Sequence, residues 1–350
     1  MSNTKLTCSV CGSEQIGESF ACANCGFAGA YYTLFSGNKA YSMWEELVDK
    51  HKSKYRERFY RDNYNKGGRL LVTGDKVVFY DALSHKAVVA KFNNDKPEII
   101  EDVYQVSLSA LYYVWIYRNK TMGSSGDDES GQRRVGDLLE ITCTDATPKC
   151  TYALRTDGTI TTRGATVLSD QLSKWTNIKS LAETNYVNCA NHVIGIKNDG
   201  TVVCAVEDGS LFKTYVAQIE SWMNVKKVVT TDYYALALHT DGTVSYAGAN
   251  DEKAKVAEWQ NISDIAADGQ YAIGLTMSGQ VLLAGDKSPL VDFGRSEASS
   301  WNKILYIATG RSVIAALTIG GDLKVVGNVS VGDGFETNFK DTVYSVLTNN

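Results

Sequence analysis

Between residues 150 and 330 the chain repeats itself. The segments YALRTDGTITTRG, VIGIKNDGTVVCAV, LALHTDGTVSYAG, IGLTMSGQVLLAG and AALTIGGDLKVVG each join two apolar runs through a tight turn. Their turn glycines, Gly158, Gly200, Gly242, Gly279 and Gly321, follow one another at steps of 42, 42, 37 and 42 residues. A two-residue turn of this kind needs a positive φ, which glycine supplies without steric cost, and it matches the twist of paired strands. Each unit is therefore predicted to be a β-hairpin, with Asp157, Asp199 and Asp241 as turn formers.

A second element precedes most hairpins: KWTNIKSLA, SWMNVKKVV, EWQNISDIA and SWNKILYIA. Trp175, Trp222, Trp259 and Trp301 recur at its start. A large aromatic at one fixed point of every unit most simply packs between neighbouring units. Several short strands per unit of about 42 residues suit one blade of a β-propeller.

The tryptophan element followed by an x-L-x-x-D-G-x-V hairpin resembles the repeats of the regulator of chromosome condensation family. The resemblance is strong over residues 135–330 and implies a seven-bladed β-propeller. On that frame Gly74 lies two periods before Gly158, and the missing turn falls at Asn119 and Lys120. The hairpin at 69–80 lacks a leading strand. The C-terminal FKDTVYSVLTNN reads as an isolated strand with Phe339 in the tryptophan place, so the two ends are expected to share one blade and close the ring.

The N-terminus carries Cys8, Cys11, Cys22 and Cys25 as C-x2-C-x10-C-x2-C. Each C-x2-C turn aims two sulfurs at one point, and four thiolates satisfy tetrahedral zinc with no position left for catalysis. Gly12 and Gly26 follow the two knuckles. The pattern resembles short bacterial zinc ribbons, and one structural Zn2+ per chain is expected. A disulfide or redox reading is the alternative, disfavoured by the doubled pairs and by an N-terminus without a secretion signal. Cys143, Cys150, Cys189 and Cys204 are irregularly spaced and read as small buried hydrophobes.

Between ribbon and repeats, Ser42 to Glu45 forms a capping box, and Trp44, Leu47, Val48, His51, Tyr55 and Phe59 define one helical stripe. Lys and Arg crowd residues 50–66, which reads either as a nucleic-acid surface or as a solvated helix face. The resulting architecture is all-β: a zinc ribbon over 1–30, a connecting helix and linker over 31–66, and the propeller over 67–350.

Catalytic motifs are not found. His51, His85, His192 and His239 fall in no metal or nucleophile pattern, no G-x-S-x-G occurs, and Gln280 stands where a phosphate loop needs lysine. Residues 123–131, GSSGDDESG, read as a flexible acidic loop. The net charge of −5 argues against a whole-surface nucleic-acid binder. No run is long and apolar enough for a membrane helix. The expectation is a non-enzymatic, cytoplasmic, monomeric scaffold for a protein partner. One repeat position, eight residues before each turn glycine, holds Cys150, His192, Tyr234, Tyr271 and Val313, with Tyr112 in the degenerate unit. In the resembling family this position is commonly histidine near the central channel. Tyr112, His192, Tyr233, Tyr234 and Tyr271 are therefore the candidate partner-binding residues, with packing between blades as the competing reading. Two other functions stay in view: nucleic-acid binding through the ribbon and basic helix, and nucleotide exchange or enzyme inhibition by analogy of fold.

Overall fold

The structure is a computed structural model. It describes residues 68–348 except 82–83, 94–95, 186–190, 250 and 286–291, and, nearer the N-terminus, residues 5–8, 10, 14–16, 22, 47–48 and 50–52. The chain forms two compact units, Met1–Tyr64 with Ile319–Gly321, and Asn65–Thr318 with Asp322–Asn350.

In the first unit, β1 (Lys5–Thr7) and β2 (Glu14–Ile16) form an antiparallel hairpin with Leu6 opposite Gln15. Residues 47–48 and 50–52 are helical, where the apolar stripe predicts a helix, and the His51 ring lies 2.9 Å from the Leu47 carbonyl one turn back. Of that stripe Val48 is buried and Leu47 is half exposed. The capping box, positions 44, 55 and 59, and the basic stretch beyond Lys52 lie outside the described residues.

The second unit contains seven sheets among the described residues. The first has four antiparallel strands, β3 (Gly68–Val72), β4 (Lys76–Asp81), β5 (Lys86–Lys91) and β6 (Glu98–Glu101). The second is β7 (Val103–Leu108), β8 (Tyr112–Tyr117) and β9 (Met122–Gly126). The third is β10 (Ile141–Thr147), β11 (Cys150–Arg155) and β12 (Ile160–Gly164). The fourth is β13 (Ile178–Leu181), β15 (His192–Lys197) and β16 (Val202–Val206). The short β14 (Glu183–Asn185) leaves it and pairs in parallel with β17 (Val225–Thr231) of the fifth sheet, which continues as β18 (Tyr234–His239) and β19 (Val244–Gly248). The sixth is β20 (Ile262–Ala267), β21 (Tyr271–Thr276) and β22 (Val281–Gly285); the seventh is β23 (Ile304–Gly310), β24 (Val313–Thr318) and β25 (Leu323–Gly327).

Each sheet packs on the first strand of the next, and the last touches the first, β23 against β3. The unit is a closed ring. At the junction the Phe79 and Tyr306 rings lie 5.7 Å apart, and a Cβ on Gly310 would strike the Val72 carbonyl.

Backbone bonds at the repeat turns stitch the ring. The Ile141, Val225, Ile262 and Ile304 amides, each opening a first strand, donate to the carbonyls of Lys120, Gly200, Gly242 and Gly279 in the preceding sheet. Gly242 shows why the position favours glycine. Its φ is +83°, and a Cβ there would lie 3.3 Å from the Ile262 amide. The Asn119–Lys120 turn takes this role in the second sheet, as its spacing predicts, with Lys120 at φ 63°. The Gly74 assignment does not hold. Gly74 lies between β3 and β4, one hairpin too early, and the Val103 amide donates to His85 (φ 57°), which is the turn residue of the first sheet. The two-period distance from Gly158 is a coincidence of loop lengths.

Short helical segments follow the third strands of later sheets: α1 (Ser169–Leu172), α2 (Val216–Glu220) and 3-10 turns at Leu211–Tyr215, Glu252–Glu258 and Arg295–Ser300. They deliver the repeated tryptophans onto the second strand of the next sheet. A Cβ on Gly195 would come 2.8 Å from Trp175, and one on Gly274 2.7 Å from Trp259. Between the first two sheets only Asp102 intervenes, so no helix fits, and β8 supplies its own Trp115 at the corresponding position. The predicted loop at 123–131 is in part strand β9. Beyond it, Asp128 accepts from the Arg133 amide at 2.9 Å and Gln132 is buried, so the segment folds back on itself.

The C-terminal segment is a helix and not the predicted strand: α3 (Phe335–Thr348). Its buried residues, Phe335, Phe339, Val343 and Val346, recur at helical spacing. The first sheet has no need of a borrowed strand, since β3 to β6 complete it. The helix packs instead against β5 of the first sheet and β25 of the last. The Phe335 ring lies 5.3 Å from the Phe92 ring at a tilt of 55°, and the Gly332 amide donates to the Phe92 carbonyl at 2.8 Å.

Candidate functional site

Cys8 follows directly on β1 and is buried, as is Cys22. The Val10 amide donates to Cys8 Sγ at 3.4 Å, the local bond expected of a cysteine knuckle whose amides turn toward sulfur. Cys11 and Cys25 lie outside the described residues. Among the described residues, no three His, Cys, Asp or Glu side chains gather as a metal site.

The repeat position begins the second strand of each sheet, one layer out from the channel strands. Tyr112, His192, Tyr234 and Tyr271 have no solvent exposure. Each reaches the neighbouring sheet or the segment leading to it. Tyr112 Oη lies 2.9 Å from Thr151 Oγ1, and His192 Nε2 lies 2.6 Å from Thr230 Oγ1. The Tyr234 hydroxyl donates to the Asp268 and Tyr271 carbonyls, both at 2.7 Å. The Tyr271 hydroxyl donates to Asp292 Oδ1 at 2.6 Å. These four side chains bond across from one sheet to the next or to the segment leading to it. Burial drives His192 down to about 3, so the ring is neutral at physiological pH. Tyr233, one residue away in a turn, is 63% exposed.

The channel is lined by first-strand residues including Val72, Leu108, Val229 and Thr309, and its open volume is about 70 Å3. Strand β14 fills part of it. Lys227 is salt-bridged to Glu183 and to Asp264, each at 2.9 Å. Burial works against its charge, but Asp264 and Glu183 outweigh it and hold the ammonium above its ordinary value. Asp145 accepts from the Thr184 amide and hydroxyl at 3.2 and 2.7 Å, and burial, reinforced by Glu183, raises its carboxyl to about 7. Burial also pushes the Cys143 thiol up to about 11 and Cys150 to about 12, so neither is an activated nucleophile.

Large apolar side chains stand on the turns of the ring. Leu111 and Tyr233 occupy first-to-second strand turns, and Leu211 and Phe293 follow third strands, so all four lie at the same end of the ring. Sequence reading missed Leu111, Leu211 and Phe293, because an apolar residue in a turn carries no periodic signal.

No family model matches the chain, and no curated protein matches it. Solved structures do. The CRINKLY WD40 ectodomain of the Arabidopsis thaliana receptor kinase ACR4 aligns with a TM-score of 0.57 at 11% identity, covering 76% of this chain and 96% of that one. Prp20p from Saccharomyces cerevisiae aligns with a TM-score of 0.52 at 12% identity, covering 77% and 84%. Yeast RCC1 (Prp20) with Kap60 bound gives 0.51 at 13%, covering 67% and 73%. The fold is a β-propeller. The likeness to RCC1 agrees with the repeat pattern, and at these identities it is a likeness of fold alone.

Proposed function

We propose that this chain is a non-enzymatic interaction scaffold: a seven-bladed propeller, one sheet per blade, that presents turn residues to a protein partner. The observation that carries this reading is the division of labour just described. Tyr112, His192, Tyr234 and Tyr271 are buried between sheets, while Leu111, Tyr233, Leu211 and Phe293 stand exposed at one end and Leu139, Met223 and Met277 at the other. Exposed large apolar residues on the turns of a rigid ring are the usual raw material of a protein interface. The solved relatives lend support: one RCC1 structure is a complex with Kap60, and another is described with its binding properties to Gsp1p and histones.

The N-terminal cysteines complete the proposal. Cys8, Cys11, Cys22 and Cys25 would hold one Zn2+, which supplies a structural cross-link and no open coordination position. The buried Cys8 with its amide-to-sulfur bond fits that donor set. Metal analysis of protein purified without added zinc should return one equivalent, lost in Cys8→Ser/Cys25→Ser; a metal-free parent would refute it. For the scaffold, affinity capture should recover a partner with the full chain. Tyr233→Ala/Leu211→Ser should lose it with an unchanged melting temperature. Capture that survives this pair would move the interface to another face.

A further inference from the structure

A cleft of about 470 Å3 opens between the first and second sheets at the end of the ring that carries Leu111 and Tyr233. Its first wall is the open end of the first sheet. Lys76, which opens β4, and Lys91, which closes β5, are direct cross-strand partners. Directly opposed residues point to the same face of a sheet, and two like charges so placed destabilise the pair. Lys76 is 6% exposed. Its ammonium donates to Asp75 Oδ1 at 2.7 Å, and no other partner for it exists among the described residues. Lys91 is exposed and likewise has no ion-pair partner among the described residues.

Three carboxylates and a third lysine, Lys96, also line the cleft. Asp75 is already shared between Lys76 and the Thr73 hydroxyl, which donates at 2.8 Å. Glu98 accepts from the Tyr113 hydroxyl at 3.3 Å. Asp127 stands on the opposite wall beside Ser125 and Gly126. On the lysine wall, the buried Lys76 ammonium keeps two donors with no partner among the described residues, and Lys91 sets a second ammonium beside it. Val89, Ala110 and the 44%-exposed Leu111 supply an apolar floor next to the lysines.

We propose that this cleft is a docking site for an acidic segment of the protein partner, with a carboxylate seated between Lys76 and Lys91 and an adjacent apolar side chain on Leu111. A carboxylate relieves the opposed lysines and fills the empty donors of Lys76 with charge-assisted bonds. The volume suits two or three side chains. This inference rests on the scaffold reading and says which chemistry that scaffold would recognise.

The test is calorimetric titration of the full chain with an N-acetylated, C-amidated peptide containing Glu-Glu-Leu, beside its Gln-Gln-Leu counterpart. Saturable binding of the first alone is expected, weakening as salt screens the charges. Lys91→Glu, at an exposed site, should weaken it about tenfold or more without moving the melting temperature. Lys76→Met tests the buried donor, and circular dichroism checks its fold. Equal binding of the two peptides, or binding unchanged by Lys91→Glu, overturns the proposal. So does a Lys91-dependent response to inorganic phosphate alone, which would mark a small-anion site. A partner still captured by the Lys91→Glu chain would sink the cleft and leave the scaffold standing. Peptide binding in a chain that captures no partner would do the reverse.

Discussion

Asp145 and His192 are buried ionisable residues with opposite effects on stability. The Asp145 carboxyl is raised from an ordinary 3.8 to about 7, so the folded chain holds a proton there that the unfolded chain has released. Its contribution is fully present below pH 3.8 and is lost as pH rises through about 7. Asp145→Asn keeps an acceptor for Thr184 and removes the titration. The variant should melt above the parent at pH 8, and the gap should close toward pH 4. Parallel melting curves across that range would rule out the buried-carboxylate account. His192 works the other way: its folded value lies near 3 against an ordinary 6.5, so unfolding takes up a proton and stability falls as pH drops from 6.5 toward 3. A second residue-scale test compares equivalent turns. Gly242→Ala places a Cβ at positive φ against Ile262 and should cost about 1–2 kcal/mol, whereas Lys120→Gly, at the equivalent turn of the second sheet in the degenerate unit, should be neutral or stabilising. Urea midpoints read both.

Among the elements, α3 does what the sequence reading asked of a strand. Its four buried side chains sit across the ring junction, on β5 at one side and β25 at the other. Phe339→Ala should cost about 3–5 kcal/mol, and removal of 335–350 should expose Phe92 and cause aggregation. A truncated chain that melts with the parent would show that β3 and β23 hold the ring alone. The misreading has a physical source: Phe339, Val343 and Val346 form a helical stripe, but FKDTVYSVL also alternates well enough to pass as a strand. What was legible came from local chemistry. Asp-Gly turns, the Asn119–Lys120 substitute and the repeated tryptophans each carry their geometry in a few residues. The first sheet was not legible, because its turn residue is His85 in place of glycine. The candidate ring of Tyr112, His192, Tyr234 and Tyr271 was found by counting, yet its depth depends on which strand lies innermost, and spacing does not encode that. The Lys76–Lys91 pairing needs strand register across a loop of uneven length, which no local signal fixes.

At the scale of the molecule, the ring joins residues from opposite ends of the chain. Gly68 lies beneath Tyr306, Phe79 faces the same ring, and Phe92 waits for Phe335. During synthesis the first sheet emerges long before these partners exist. Its Phe79 and Phe92 wall must stay uncovered while six more sheets are made. Contacts so distant in sequence form late and slowly, and an exposed apolar wall in the meantime invites association between nascent chains. The growing polypeptide therefore has a window of vulnerability that ends only when α3 leaves the ribosome. A stop codon just before Phe335 would hold that window open permanently, and such a product should depend on chaperones in a way the finished protein does not.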